Sequence, residues 1–189
     1  MPGDNIERAV KKGTGELEGV SYEEVTYEGY GAGGTAILIE GSTDNPNRTV
    51  ADIRHAFSRN SGNLGTSNSV SWMFEKKGQI LIPMAAAPEE KAMEDALEAG
   101  ASDFESDGEY YVVSTDPHDF HAVIEALAAK RYTPESSEIA MVPKNLVKLD
   151  ATEAQKVLKL IDLLEELDDV SKVFTNLDID ALDLEEAGA

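Results

Sequence analysis

The order of apolar patterns between residues 79 and 142 is the feature that most constrains the fold of this chain. Strand-like segments occur at 79–83, 102–105, 109–114 and 135–142. Helix-like periodicity fills 89–99 and the stretch after Pro117, which follows Asp116 as a proline suited to a first helical turn. The order β-α-β-β-α-β is typical of a split-βαβ, ferredoxin-like unit.

The two predicted helices of this unit each have an apolar face. The spacing in the first helix turns Met93, Ala96 and Leu97 toward the core, and Gly100 ends that helix. The second helix turns an apolar stripe of Phe120, Val123, Ile124 and Leu127 inward. Both helices are therefore expected to cover one face of the same sheet.

The segments on either side of this unit need each other to build a core. Strands at 20–30 and 35–40 are joined by a glycine-rich turn, and a helix at 48–59 follows, with Asn47 as its cap. A strand at 69–75 comes next, whereas the only further apolar helix and strand lie at 150–167 and 170–175. We therefore predict an α+β fold of two ferredoxin-like domains, one inserted into the other. The boundaries are 1–17 for the end of a helical domain, 18–77 plus 144–177 for the discontinuous domain, 78–143 for the insert and 178–189 for an acidic tail.

Charge is distributed unevenly along the 189 residues, whose formal net charge is −21. Residues 1–80 carry 8 basic and 11 acidic side chains, whereas residues 81–189 carry 8 basic and 26 acidic ones. The acidic side chains of residues 81–189 repel a polyanion such as nucleic acid. Any surface that binds nucleic acid is therefore expected within residues 1–80. The absence of Cys excludes disulfides, thiolate metal sites and a cysteine nucleophile. With no long apolar run and no leader, we expect a cytoplasmic protein without membrane contact, or a mitochondrial one in a eukaryote.

Two short motifs resemble ligand sites. The run from Gly29 to Gly34 matches G-x-G-x-x-G, but a strand follows it where a dinucleotide site needs a helix, so a hairpin turn is the better interpretation. His118 and His121 have metal-ligand spacing, yet no third ligand is evident. We expect no metal, no cofactor and no catalytic residue.

Basic residues on the 48–59 helix form the one remaining candidate site. Arg48, His55 and Arg59 project from one side of this helix, and Arg54 flanks its apolar edge. An Asn/Gly/Ser/Thr-rich loop follows at 60–69, and guanidinium groups beside such a loop suit phosphate contact, although an ordinary solvated helix face has the same composition. The candidate nucleic-acid-binding residues are Arg48, Arg54, His55, Arg59, Asn63, Lys76 and Lys77, with Arg8, Lys11 and Lys12 near the N-terminus.

Several motifs give the chain a strong resemblance to the YebC/PmpR family, which includes the mitochondrial translational activator of cytochrome c oxidase I. The motifs are Pro2-Gly3-Asp4-Asn5-Ile6-Glu7-Arg8-Ala9, Tyr27-Glu28-Gly29-Tyr30-Gly31 with Gly33-Gly34, Asp44-Asn45 with Asn47-Arg48-Thr49, Gly62-Asn63-Leu64-Gly65, Ala96-Leu97-Glu98-Ala99-Gly100-Ala101, and Leu160-Ile161-Asp162 with Leu167-Asp168-Asp169-Val170. The resemblance implies a basic helical domain followed by two α/β domains, one inserted into the other. It also implies that most of the basic helical domain precedes the residue where this chain begins.

The resemblance implies a regulator of gene expression whose partner is DNA, ribosomal RNA or the ribosome. We expect this regulator to be non-enzymatic and monomeric. Two other functions stay open at this point. The acidic half is also suited to docking a basic protein, and ferredoxin-like domains bind small ligands in other proteins. The residues of the 48–59 helix include no set suited to reading base edges, which favours recognition of shape or of an RNA backbone.

Overall fold

The computed structural model describes residues 21–179, and the α+β class is confirmed. The described chain forms two compact units, one from 21–70 with 148–179 and the other from Ser71–Val147. In chain order the elements are β1 (Glu23–Tyr30), β2 (Ala36–Thr43), α1 (Pro46–Arg59), β3 (Asn63–Leu64), β4 (Phe74–Pro83), α2 (Glu89–Ala99), β5 (Asp103–Ser106), β6 (Tyr110–Thr115), α3 (Phe120–Ala129), β7 (Ser136–Pro143), α4 (Ala151–Glu165) and β8 (Val170–Thr175).

The discontinuous unit is an antiparallel sheet in the order β3-β1-β2-β8, with α1 and α4 contributing to its core. Ile37 and Ile39 of β2 pack in that core with Phe57 of α1 and Leu160 of α4, and all four side chains are fully buried. The elements follow one another as β-β-α-β-α-β, so this unit shares the layers of a ferredoxin-like domain but has its own connectivity. The β1–β2 connection is the predicted glycine turn, in which Gly33 and Gly34 have φ of 64° and 76°.

Helix α1 begins two residues earlier than the sequence predicted. Its cap is Asn45, whose side chain accepts a hydrogen bond from the backbone N–H of Arg48 at 3.2 Å. The predicted cap, Asn47, is wrong because Pro46 already occupies the first helical position, where its fixed φ and missing N–H are favourable. The buried residues of α1 are Thr49, Ile53, Ala56 and Phe57.

The inserted unit has the predicted β-α-β-β-α-β order, and its sheet runs β5-β6-β4-β7. Its core contains Ile80 and Ile82 of β4, Val113 of β6, and Phe120 and Leu127 of α3. Apolar residues at every second strand position face these helices, which is the periodicity from which the fold was predicted. The described part of the chain contains no helix that could span a membrane.

Strand β4 differs from the prediction, which split it into strands at 69–75 and 79–83. It is one continuous strand from Phe74 to Pro83, because β7 pairs with it from Phe74 to Leu81 and β6 from Gly78 to Pro83. The segment Ser71–Met73 before it is a 3₁₀ turn. A domain boundary at residue 78 would cut this strand, and the two compact units instead divide after Val70 and after Val147.

Helix α2 is rotated about its axis relative to the prediction. Met93 and Leu97, expected in the core, are 39% and 53% exposed, whereas Asp95 is only 4% exposed. Ala92 and Ala96 are the apolar side chains that this helix buries. A carboxylate is tolerated at the inward position because other side chains of the same unit compensate its charge.

Three side chains donate hydrogen bonds to the Asp95 carboxylate, and a fourth contacts one of these donors. Lys91 and Lys130 donate to Oδ1 at 2.8 and 2.6 Å, Tyr132 donates to Oδ2 at 2.8 Å, and Lys130 also contacts Glu98 at 2.6 Å. The hydrogen bonds from Lys130 and Lys91 outweigh burial and hold the pKa of Asp95 well below its usual range. Burial, and then the bond to Asp95, raise the pKa of Tyr132 to about 12. This network ties α2 to the end of α3.

We expect Asp95→Asn to lower the melting temperature by several degrees, since it leaves the ammonium groups of Lys91 and Lys130 without their shared anion. The native pKa of Asp95 is depressed, so its stabilising contribution is present at neutral pH and is lost as the pH falls through the acid range. The gap between the wild type and Asp95→Asn should therefore narrow toward low pH. Thermal unfolding followed by circular dichroism measures both effects, and Glu94→Gln, at an exposed neighbouring position, is the control. An unchanged melting temperature would contradict this role.

Candidate nucleic-acid interface

The outer face of α1 presents three of the predicted basic residues to solvent. Arg54, His55 and Arg59 are all exposed. Within residues 21–179, neither guanidinium group is held in an ion pair, so both retain their full set of donors for an external anion. These three side chains and the loop at 60–69 that follows α1 define the α1 outer surface.

Arg48, also predicted as a binding residue, has a different environment. Its NH2 group lies 2.8 Å from Asp44 Oδ1 and 2.8 Å from Asp169 Oδ2. The hydrogen bonds that Arg48 donates to Asp169 and Asp44 raise its pKa above the usual value. Arg48 therefore joins the start of α1 to the segment before β8, and its charge is offset by two carboxylates.

Asp169 is the acceptor that completes this contact. The hydroxyl groups of Thr49 and Thr43 donate to its Oδ2 at 2.8 and 3.2 Å, and its side chain is 12% exposed. Burial alone would raise the pKa of Asp169, but the bonds from Arg48, Thr49 and Thr43 outweigh it and lower the pKa. This carboxylate connects β2, α1 and β8, and sequence reasoning gave it no role although it falls within a quoted motif.

The loop at 60–69 is anchored by a second carboxylate that sequence reasoning missed. Glu28 is 7% exposed and accepts from the backbone N–H groups of Asn68 and Val70, both at 2.7 Å. The backbone carbonyl of Glu28 accepts from Gly65 N at 2.7 Å, and Tyr30 Oη donates to Ser69 O at 2.9 Å. Four hydrogen bonds with Glu28 and Tyr30 of β1 therefore hold the backbone of this loop in place.

Two glycines allow the loop to approach this closely. A Cβ atom on Gly29 would lie 2.6 Å from the Phe57 ring and 2.8 Å from Asn63 O. On Gly62 it would lie 2.8 Å from Tyr30 O and 2.9 Å from Phe57. Gly29 and Gly62, which belong to two of the quoted motifs, thus both pack against the buried ring of Phe57. Their role is to allow this close packing.

The remaining predicted residues belong to parts of the chain other than α1. Asn63 is exposed in β3, where it pairs with Tyr30 of β1. Lys76 and Lys77 lie on β4 of the inserted unit, and Lys77 is 3.5 Å from Glu75. Arg8, Lys11 and Lys12, with the predicted helix that carries them and most of the acidic tail, lie outside the described residues.

The predicted histidine pair has no metal-site geometry around it. His118 donates its backbone N–H to Asp116 Oδ1 at 2.8 Å, and the ring of His121 packs edge-on against Phe120. Among residues 21–179, no three His, Asp or Glu side chains are grouped so that they could hold a metal ion.

Comparison with known proteins matches this fold over nearly its whole length. A family profile described as the TACO1/YebC second and third domain matches residues 22–177. A probable transcriptional regulatory protein of Gemmatimonas aurantiaca is 57% identical over 180 residues, which cover 95% of this chain and 73% of that protein. Another from Koribacter versatilis is 50% identical over 186 residues, covering 98% of this chain and 75% of that protein.

A solved structure supports the same assignment. The crystal structure of a conserved hypothetical protein from Aquifex aeolicus superposes with a TM-score of 0.79 and 45% sequence identity, covering 94% of this chain and 74% of that one. Two α/β units with this topology, matched in sequence and in structure, define one class of protein. The chain belongs to the TACO1/YebC family, as its motifs indicated.

We expect Asp169→Ala to lower the free energy of unfolding by about 2 kcal/mol, because three donors, Thr43, Thr49 and Arg48, lose a charged acceptor. Asp168→Ala removes an exposed carboxylate from the adjacent position and should change stability little. Urea unfolding of both variants measures the difference in their free energies of unfolding, provided that the m-value is unchanged. Equal stability of the two variants would show that Asp169 does not hold the unit together.

A change at Glu28 should instead loosen the loop. In Glu28→Gln an amide NH₂ replaces one acceptor oxygen and faces a backbone N–H of Asn68 or Val70. Hydrogen exchange of these two amides should accelerate about tenfold, which corresponds to about 1.4 kcal/mol. Glu24→Gln, at an exposed position of the same strand, is the control and should leave both amides protected.

Proposed function

We propose that this chain is a non-enzymatic regulator of gene expression that associates with nucleic acid through the α1 outer surface. The observation that carries the proposal is the exposure of Arg54 and Arg59 with no ion pair to any residue in 21–179. The names of the relatives from Gemmatimonas and Koribacter describe them as probable transcriptional regulatory proteins, and this supports the regulatory part.

The chemistry of the surface favours contact with a phosphate backbone over reading of base edges. Guanidinium groups bind phosphate oxygens in a bidentate manner, and the fixed loop beside them offers small side chains and backbone groups. Sequence-specific readout in the major groove needs several amide or guanidinium side chains projecting from one inserted helix. The other exposed side chains on the outer face of α1 include Asp52 and Ser58, which do not supply such a set, so we favour RNA in the ribosome as the partner over duplex DNA.

Charge reversal tests the surface directly. Arg54→Glu combined with Arg59→Glu should reduce cosedimentation with ribosomes at moderate salt, because phosphate contacts become repulsive. Loss of two contacts should also lower the slope of log affinity against log salt by about two units. Arg48 is left unchanged, since it stabilises the unit through Asp169.

Lys156→Glu combined with Lys159→Glu is the matched control, with the same change in net charge at exposed positions of α4. This variant should keep most of the association. If both double variants cosediment equally, the surface is not the contact. Saturable binding of duplex DNA without any ribosome association would reverse the preferred partner.

A second candidate function is the docking of a basic protein by the inserted unit. The exposed Met93 and Leu97 support it, since Glu90 and Glu94 flank them on the same helix. Apolar side chains ringed by carboxylates suit a cationic partner. In the same experiment this candidate predicts that Leu97→Lys abolishes association while the double arginine variant retains it.

A further inference from the structure

The inserted unit has one exposed aromatic side chain whose surroundings are basic. Trp72 is 63% exposed and lies in the 3₁₀ turn before β4. Tryptophan is usually largely buried, because its ring has more apolar surface than almost any other side chain. The exposed part of this side chain is a flat apolar surface that a ligand can reach.

The charge near Trp72 is opposite to that of the rest of its unit. Residues 71–147 contain six Lys and Arg against fifteen Asp and Glu. Three of the six, Lys76, Lys77 and Lys144, lie at the start of β4 or directly beside it. Segments 71–74 and 141–147 contain no carboxylate, and Glu75, which follows Phe74, is 3.5 Å from Lys77.

Hydrogen bonds hold Trp72 and Lys144 side by side. Lys144 donates its backbone N–H to Met73 O at 2.9 Å and its ammonium group to Trp72 O at 2.9 Å. An ammonium group has three donors, so two remain for an anion. Phe74, paired with Pro143, is 4% exposed and anchors the turn in the fold.

We propose that Trp72, with Lys144 and Lys76, is a stacking platform for an unpaired base of single-stranded nucleic acid. An exposed aromatic ring with lysines on the adjoining strand and segment suits this ligand, because the ring stacks on a base while the lysines neutralise the adjacent phosphates. A duplex hides its base faces, so it offers this surface only phosphates. Lys76 lies on the same face of β4 as Phe74, about 7 Å along the strand from it, which is within reach of the next phosphate.

This inference rests on the proposed function, because it names the form of nucleic acid that the chain would take. It adds a contact on the inserted unit that is independent of Arg54 and Arg59. The proposed contact at Trp72 can therefore be wrong while the one at Arg54 and Arg59 is right. For this reason the experiment must measure binding and stacking by different signals.

The chain offers an internal probe, since Trp72 is its only tryptophan. Titration with a short oligouridylate should quench the tryptophan fluorescence, because a stacked base deactivates the excited indole. Fluorescence anisotropy of a labelled oligouridylate measures binding in parallel. Poly-L-glutamate carries negative charge without bases, and should leave the tryptophan signal nearly unchanged.

Substitutions separate stacking from general apolar contact. Trp72→Ala and Trp72→Leu should each weaken binding about tenfold by anisotropy, whereas Trp72→Phe should weaken it less. Leu146→Ala is the control, because it truncates another exposed apolar side chain of the same unit and should have little effect. Circular dichroism checks that every variant is folded.

Three outcomes would overturn the inference. Saturable anisotropy without quenching, and equal affinity of Trp72→Ala, would place binding elsewhere and leave the proposed function standing. If poly-L-glutamate quenches the fluorescence as strongly as the oligouridylate does, the surface is a basic site that binds acidic proteins. Absence of binding in both measurements would remove the platform, whereas the α1 outer surface stands or falls with the ribosome cosedimentation of its own variants.

Discussion

The first unit depends on polar contacts between two pieces of chain that are far apart in sequence. Asp169 accepts from Thr43 across 126 residues, and Asn176 accepts from the backbone N–H of Ala36 at 2.8 Å across 140 residues. The inserted unit separates β3 from α4 in sequence, so β8 can pair with β2 only after the chain has returned to the first sheet. These buried acceptors specify where the returning segment ends, which apolar packing alone does not, since leucine side chains pack in many registers.

The same contacts explain the residues that form the sequence motifs. Glu28, Asn45, Arg48 and Asp169 each have a partner in the fold, either a backbone N–H group or a side chain from another segment. The motifs that carry the family resemblance therefore describe largely how the unit is built. The residues proposed to contact nucleic acid, Arg54 and Arg59, lie outside those motifs.

Periodicity predicted most of the secondary structure because strands and helices bury one face each. The inserted unit was predicted in full topological order from alternation at 79–83 and 109–114 and from helical spacing in α3. Prediction failed at α2, where the buried Asp95 depends on Lys130, a residue 35 positions away. It also missed the ion pair between Arg48 and Asp169, because the position of Asp169 beside Arg48 follows only from the tertiary fold. Local pattern cannot show a charge that is compensated from a distance.

The ends of the inserted unit meet as neighbouring strands. Phe74 pairs with Pro143, and Lys144 N donates to Met73 O, so the chain leaves and returns about 5 Å apart. The insert has more than seventy residues, but once it has folded its two ends are fixed close together. The first unit therefore loses no more conformational entropy in closing across the insert than it would in closing a tight turn. The insertion point can therefore accept domains of very different length at nearly constant thermodynamic cost, which makes it a natural site for modular exchange.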